Sequence, residues 1–253
     1  MKALITGAAD GIGRALAFAC GRADYDIVGI DVDEARALQT ANDLDAEGIF
    51  NRFLQGDLAD GAQVTDLVSQ LSLYGPYDLV IHNAGISAVG RFSEIDPAQQ
   101  QAVMAINLTA PMLLTAGLLA DRQISANGAL VFISSLSHFA GYPGAAVYAA
   151  TKDGIASYAR SLRVGLAPQH VHVLTVFPGP TRTAHARRYS PDNSREHKRM
   201  SPEELASQIL RAIQHRQWTL IPGIGNRLFA LAGRIAPRLT EVVMRKTLYE
   251  KLP

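Results

Sequence analysis

Short apolar runs alternate along the chain with stretches in which apolar residues recur every three or four positions. The runs at 2–6, 26–31, 78–82, 129–134, 171–177 and 218–221 predict strands, with a weaker one near 49–54. Two of them, Asp78-Leu79-Val80-Ile81 and Ala129-Leu130-Val131-Phe132-Ile133, are almost unbroken, as strands covered on both faces are. Helical spacing predicts helices near 12–21, 34–45, 61–73, 97–120, 147–167 and 202–215, with Pro76 and Pro97 marking a loop and a helix start. This alternation predicts a parallel sheet with helices on both faces, in one domain spanning 1–253.

Two segments stand apart. Residues 184–200 are polar with no apolar period and predict a flexible loop or lid. Residues 225–253 form an appendage with helical apolar spacing (Leu228, Leu231, Ala232, Ile235, then Leu239, Val242, Val243), divided by Pro237.

The chain has 253 residues, 48% apolar and 19% charged. The charged share lies below that of an average soluble domain, which points to extensive burial and a subunit interface. A formal charge of +1 gives no general attraction to nucleic acid or acidic membranes. Cys20, the single cysteine, excludes an internal disulfide and a cysteine-based zinc cluster, and fits a reducing compartment. No metal site is expected. The start, Met1-Lys2-Ala3-Leu4-Ile5-Thr6-Gly7, leaves no room for a leader, so a cytoplasmic location is expected. Residues 97–120 carry no charge and are long enough to span a bilayer, but Gln99, Gln100, Gln101, Asn107 and Pro111 favour a buried or interface-forming helix.

The first strand runs into Thr6-Gly7-Ala8-Ala9-Asp10-Gly11-Ile12-Gly13. Glycines there let the backbone turn tightly and approach a pyrophosphate, and the helix that follows aims free N–H groups at it. The second strand ends in Asp31, whose carboxylate can accept from both ribose hydroxyls of an adenosine and would repel a 2′-phosphate; NAD(H) is expected over NADP(H). Alternatively, Asp31 caps the next helix. Tyr148 and Lys152, four apart, share a helix face, so the ammonium can favour the phenolate. Ser134 and Ser135 end the fifth strand at the sheet edge where open α/β folds bind ligands.

With these residues in view, the chain resembles the short-chain dehydrogenase/reductase family over residues 2 to about 222. The motifs are Thr6-Gly7 with Gly11-Ile12-Gly13, Asp57-Leu58, Asn83-Ala84-Gly85, Asn107, Ser135 with Tyr148 and Lys152, and Pro178-Gly179 with Thr183. The resemblance implies a Rossmann-type three-layer α/β/α sandwich with about seven parallel strands. It implies that Tyr148 is the general acid/base, that Ser135 binds the substrate oxygen, and that Lys152 lowers the tyrosine pKa and binds the nicotinamide ribose. It implies that Asn107 holds a water linking Lys152 to solvent. Gly7, Asp10, Gly11, Ile12 and Gly13 would cradle the cofactor, Asp57 would read the adenine with Leu58 beside the ring, and Asn83, Ala84 and Gly85 would run alongside. Pro178, Gly179, Thr181 and Thr183 complete the expected contacts, Thr183 at the carboxamide. The family pattern is broken by His82, where Asn is frequent, and by Gly165, where an acid is frequent; His82 is expected to be a packed strand residue and Ser134 to bond locally.

The expected activity is NAD(H)-dependent interconversion of a secondary alcohol and a ketone, on a substrate that the tail suggests is lipophilic. The competing readings are a sugar-nucleotide epimerase or dehydratase, and a non-catalytic NAD(H)-binding regulator. A homodimer or homotetramer is expected through the 97–120 helix and the helix carrying Tyr148. Arg182, Arg187, Arg188, Arg195, Lys198 and Arg199 in the lid would suit an anionic substrate, though a solvated loop is the simpler reading. For the basic, apolar tail, packing over the site or on a second subunit is favoured over membrane contact.

Overall fold

The computed structural model describes residues 1–190 and 193–252. Seven strands, β1 (Lys2–Thr6), β2 (Asp26–Asp31), β3 (Asn51–Gln55), β4 (Tyr77–His82), β5 (Ile124–Ile133), β6 (His172–Val176) and β7 (Thr219–Leu220), form one parallel sheet in the order β3-β2-β1-β4-β5-β6-β7. The expected Rossmann-type α/β fold is therefore present. Strand alternation divides the core. Ala3, Ile5, Leu79, Ile81 and Val131 face α1 (Gly11–Gly21), α2 (Glu34–Ala46) and α8 (Pro202–Gln214), meeting Leu16, Leu44 and Ile209. Leu4, Val80, Leu130 and Phe132 face α3 (Gly61–Leu71), α5 (Ala110–Ala120) and α6 (Ala146–Gly165), meeting Leu67, Leu114 and Ile155. Both faces are apolar, so the strands read as continuous runs; each fully buried Leu or Ile contributes about 1.5–3 kcal/mol.

Side chains set the helix starts. Asp10, Asp33, Asp60 and Ser201 cap α1, α2, α3 and α8, each accepting a hydrogen bond from a first-turn amide. Such a cap stabilises a helix by about 1 kcal/mol. The cap of α2 is Asp33, which leaves Asp31 free of that role.

Three regions differ from the sequence expectation. The stretch 97–120 is not one α-helix: α4 (Pro97–Met104) and α5 are joined by a π turn at Ala105–Thr109. Pro111 has no amide hydrogen, so the carbonyl of Asn107 lacks its α-helical donor; widening to the π pattern, with Ala110 N–H bonded to the Ala105 carbonyl, accommodates the defect. This stretch is the one described helix long and apolar enough to cross a membrane, yet it lies along the sheet with part of its surface buried against α3 and α6. The expected loop 184–200 contains α7 (Ala184–Tyr189), capped by Thr183, and a 3₁₀ turn at Glu196–Lys198. A helix of six residues is too short to show an apolar period. A bridge between Thr181 and Met200 ties the ends of this segment together, and residues 191–192 lie outside the described residues. The tail forms α9 (Ile224–Ile235) and α10 (Pro237–Thr247), with Pro237 in the first turn of the latter.

Candidate active site

The sheet order reverses between β1 and β4. The chain leaves their C-terminal ends toward opposite faces, into α1 on one and α5 on the other, and so leaves a crevice, the place where open α/β sheets bind ligands. A cleft of about 610 Å³ opens at this point. Its floor is tied together by Thr6: the Thr6 hydroxyl accepts from the Asn83 and Ala84 amides, both at 3.0 Å. The Asn83 side chain returns the contact, donating to the carbonyls of Thr6 (3.0 Å) and Gly7 (3.1 Å). Thr6 and Asn83 thus fasten the end of β4 to the glycine loop.

The loop's glycines each answer a steric demand. Gly7 and Gly11 have φ of +65° and +53°. At Gly13 a Cβ would lie 1.8 Å from the Gly7 carbonyl oxygen, so only glycine lets α1 approach β1. Gly13→Ala is expected to cost about 2 kcal/mol through overpacking. Thermal unfolding should fall by on the order of 4–8 °C for a chain of this size, and an unchanged Tm would remove the close-approach argument. Asp31 closes the adenosine side. Its carboxylate accepts from the Ala9 amide (2.9 Å) and the Asp33 amide (3.1 Å) and lines the cleft. Arg36, the nearest following cation, pairs with Asp10 (3.0 Å) and Asp33 (3.2 Å).

Ser135, Tyr148 and Lys152 stand on the opposite wall. Ser135 follows β5; Tyr148 and Lys152 lie one turn apart on α6. Lys152 is buried, donates to the Ile133 carbonyl (2.9 Å), and its Nζ lies 5.6 Å from the centre of the Tyr148 ring. Burial pushes the Tyr148 phenol up to about 12, and the Ser135 hydroxyl pulls it back. Burial pulls the Lys152 ammonium down to about 8. Ser134, buried in the cleft wall, donates its hydroxyl to the Lys152 carbonyl (2.8 Å) and so steadies α6.

Asn107 does not line the cleft. From the π turn its side chain accepts from the Ile86 amide and donates to the Ile86 carbonyl, both 2.9 Å, and donates to the Thr151 hydroxyl (3.2 Å). It braces the residue before Lys152 against the segment after Gly85. Behind the wall, Asn107, Lys152, His82 and Leu58 enclose a cavity of about 10 Å³. Leu58 therefore packs in the core rather than in the cleft, and the Asp57 carboxylate accepts from the Ala59 amide (2.8 Å). Gly85, Pro178, Gly179, Thr181 and Thr183 all line the cleft, as do Asp10, Ile12 and Ala84. So do residues not anticipated: Tyr142, His185 and Tyr189, and Phe229, Met244 and Leu248 from the tail. They come from segments far apart in sequence, and no motif connects them. Of the lid cations, Arg199 reaches the cleft.

His82 is a packed strand residue. It is buried, stacks on Phe132 at 4.9 Å and shares a hydrogen bond with the Thr115 hydroxyl (2.8 Å). Burial holds its pKa down to about 3. The unfolded chain, with an ordinary histidine near 6.5, binds this proton first as pH falls. Stability should therefore drop from about pH 6.5 downward, by up to roughly 1.4 kcal/mol per pH unit from this group. Denaturant midpoints across that range should show a shallower slope for His82→Asn.

The sequence profile described as short chain dehydrogenase matches residues 1–194. The chain belongs to this family. It is an oxidoreductase with an NAD(P)-binding Rossmann fold, acting at a CH–OH group. Among relatives, a ketoacyl reductase, HetN, from Nostoc sp. is 27% identical, covering 96% of this chain and 87% of its own. The 3-ketodihydrosphingosine reductase of Mus musculus is 26% identical, covering 92% and 75%. Of solved structures, a short-chain dehydrogenase from Sphingobium yanoikuyae in complex with NADPH has a TM-score of 0.80 at 29% identity, covering 92% of each chain. A bulky-bulky ketone specific alcohol dehydrogenase from Comamonas testosteroni has a TM-score of 0.78 at 26% identity, covering 97% of this chain and 91% of that one.

Proposed function

We propose that this dehydrogenase uses NAD(H) to interconvert a bulky, largely apolar secondary alcohol and its ketone, with Tyr148 as the acid/base. The observation that carries the cofactor reading is Asp31: a carboxylate at the tip of β2, facing the cleft, with the neighbouring Arg36 engaged by two other carboxylates. A 2′-phosphate placed there would meet negative charge, with the nearest following cation, Arg36, already paired with Asp10 and Asp33. The solved relative in complex with NADPH sets the alternative against which this is tested.

The cradle suits a dinucleotide. The amides at the start of α1 would hold the pyrophosphate, Asp31 the adenosine ribose, and Lys152 with Tyr148 the nicotinamide ribose. When bound, the nicotinamide supplies or accepts the hydride. The chain's own work is on the substrate oxygen. Ser135 Oγ donates to it and fixes its position. Tyr148 Oη gives it a proton in the reducing direction and takes one in the oxidising direction. When charged, Lys152 would work against the rise that burial imposes on the phenol. Asn107 is a positioning residue: through Thr151 and Ile86 it sets the turn from which Lys152 projects. The cavity behind Lys152 is near the minimum for one water, which would extend the proton path past Asn107.

Tyr142, Phe229, Met244 and Leu248 give the substrate side an apolar, aromatic character. The names of the relatives, a ketoacyl reductase and a 3-ketodihydrosphingosine reductase, are names of ketone reducers. A panel of short and bulky ketones assayed with NADH and with NADPH tests the reading. Turnover should favour bulky ketones and NADH. Binding of NADH with no turnover across the panel would instead support the non-catalytic reading.

A further inference from the structure

The tail helices are packed inside out. A helix docked on a protein core buries its large apolar residues. Here α9 buries Ala230 and Gly233, while Leu228, Leu231 and Ile235 point to solvent, Ile235 at 73% exposure. The burial is tight: a Cβ at Gly233 would lie 1.9 Å from the Phe139 carbonyl oxygen, which fixes this face of α9 against the body of the protein. On α10 the buried residue is Thr240, while Leu239, Val242 and Val243 are exposed. The exposed side chains recur at helical spacing on each helix, forming stripes rather than scattered single residues.

Cations accompany the stripes. Arg227, Arg234, Arg238, Arg245 and Lys246 are all exposed. Six of the chain's 24 Lys and Arg, but two of its 23 acidic residues, fall in 224–253, so the tail carries +4 and the remainder −3. Arg238 and Lys246 form no ion pair among the described residues. The combination of an apolar face with flanking Lys and Arg is that of helices that lie in a membrane interface.

We propose that α9 and α10 form a docking surface for an anionic lipid bilayer, with Leu228, Leu231, Ile235, Leu239, Val242 and Val243 entering the acyl boundary and the cations meeting lipid phosphates. Charge decides this occupant over a second copy of the chain. A twofold contact would press the same basic surface against itself, whereas an anionic bilayer neutralises it. The surface also adjoins the cleft: Phe229 on α9 and Met244 on α10 line the cleft from the same two helices. A lipophilic substrate would thus leave the bilayer beside the cleft. The docking itself does not depend on the activity proposed above.

The test is co-sedimentation of the full chain with phosphatidylcholine vesicles, with and without phosphatidylglycerol, at low and high salt. Binding is expected with phosphatidylglycerol, weakened by salt. Arg238→Glu with Lys246→Glu should reduce it by roughly tenfold or more. Leu231→Ser with Ile235→Ser should reduce it as well, and both variants should keep the wild-type Tm and the wild-type rate on a water-soluble ketone. Absence of binding at low salt overturns the proposal, as does binding that is equal on neutral vesicles and indifferent to charge reversal. Sedimentation velocity covers the other occupant: an oligomer that Leu231→Ser with Ile235→Ser dissociates, with no vesicle binding, would assign the face to a second copy.

Discussion

Tyr148→Phe should lower kcat by on the order of 10²–10⁴-fold, the usual contribution of a positioned acid/base, or about 3–5 kcal/mol of barrier. The ring remains to fill the cleft wall, so Tm should stay close to wild type and NADH affinity should fall far less than kcat, by no more than the one ribose contact. That split separates a chemical role from a structural one. A pH profile adds a second readout. With the phenol raised to about 12 and Lys152 lowered to about 8, the tyrosine holds its proton at neutral pH. It is then in the form that reduction uses. Oxidation needs the phenolate, so the rate of alcohol oxidation should climb with pH above neutrality, while ketone reduction holds level until the phenol or Lys152 begins to lose its proton. The residual activity of Tyr148→Phe should lose the climb. Near wild-type turnover in the variant would place the proton elsewhere.

The second large effect is expected at Asp31. Hydrogen bonds to a charged group contribute about 1.5–3 kcal/mol each, so losing the ribose contacts in Asp31→Ala should weaken NADH by on the order of tenfold or more. NADPH should gain, because the repelling charge is gone, and the NADH/NADPH preference should move by roughly 10²-fold. Asp31 also accepts from Ala9 and Asp33, so alanine loosens the glycine loop at the same time. Asp31→Asn keeps an acceptor for that loop while removing the charge. If both variants shift the preference and only alanine lowers Tm, the discrimination is electrostatic. Fluorescence titration of both cofactors against all three proteins measures this, and an unchanged ratio would falsify the assignment.

What the sequence made legible follows from what is local. The parallel strands show as apolar runs because both of their faces are covered, and the glycine loop shows because the positive φ of Gly7 and Gly11 and the close approach of Gly13 to the Gly7 carbonyl all fall within a few residues of chain. Tyr148 and Lys152 are neighbours on one helix, so their spacing is their geometry. What was hidden arises from contacts across the fold. Asn83 lines the cleft, but the partners of its side-chain amide, the Thr6 and Gly7 carbonyls, lie 76–77 residues away in sequence. Phe229 and Met244 could not be assigned to the cleft because nothing in an amphipathic tail says where it folds back. Whether Asp31 or Asp33 caps α2 is a matter of two residues, below the resolution at which helix starts are read.

The π turn has a consequence for which changes this region tolerates. Each residue of an α-helix advances the next side chain by about 100°, so one extra residue in the turn sets α4 and α5 about a quarter-revolution out of step. The two halves use that offset: α4 meets α6, while α5 meets α3. Individual apolar side chains there are interchangeable within limits of volume, but their count is not. Deleting one residue between 105 and 109 would bring the halves into step, swing one of them off its neighbour, and carry Asn107 away from Ile86 and Thr151. Asn107 and Pro111 apart, length is the constrained quantity in this stretch and composition the free one, so an alignment of true functional equivalents should show substitutions at the other positions and no gaps.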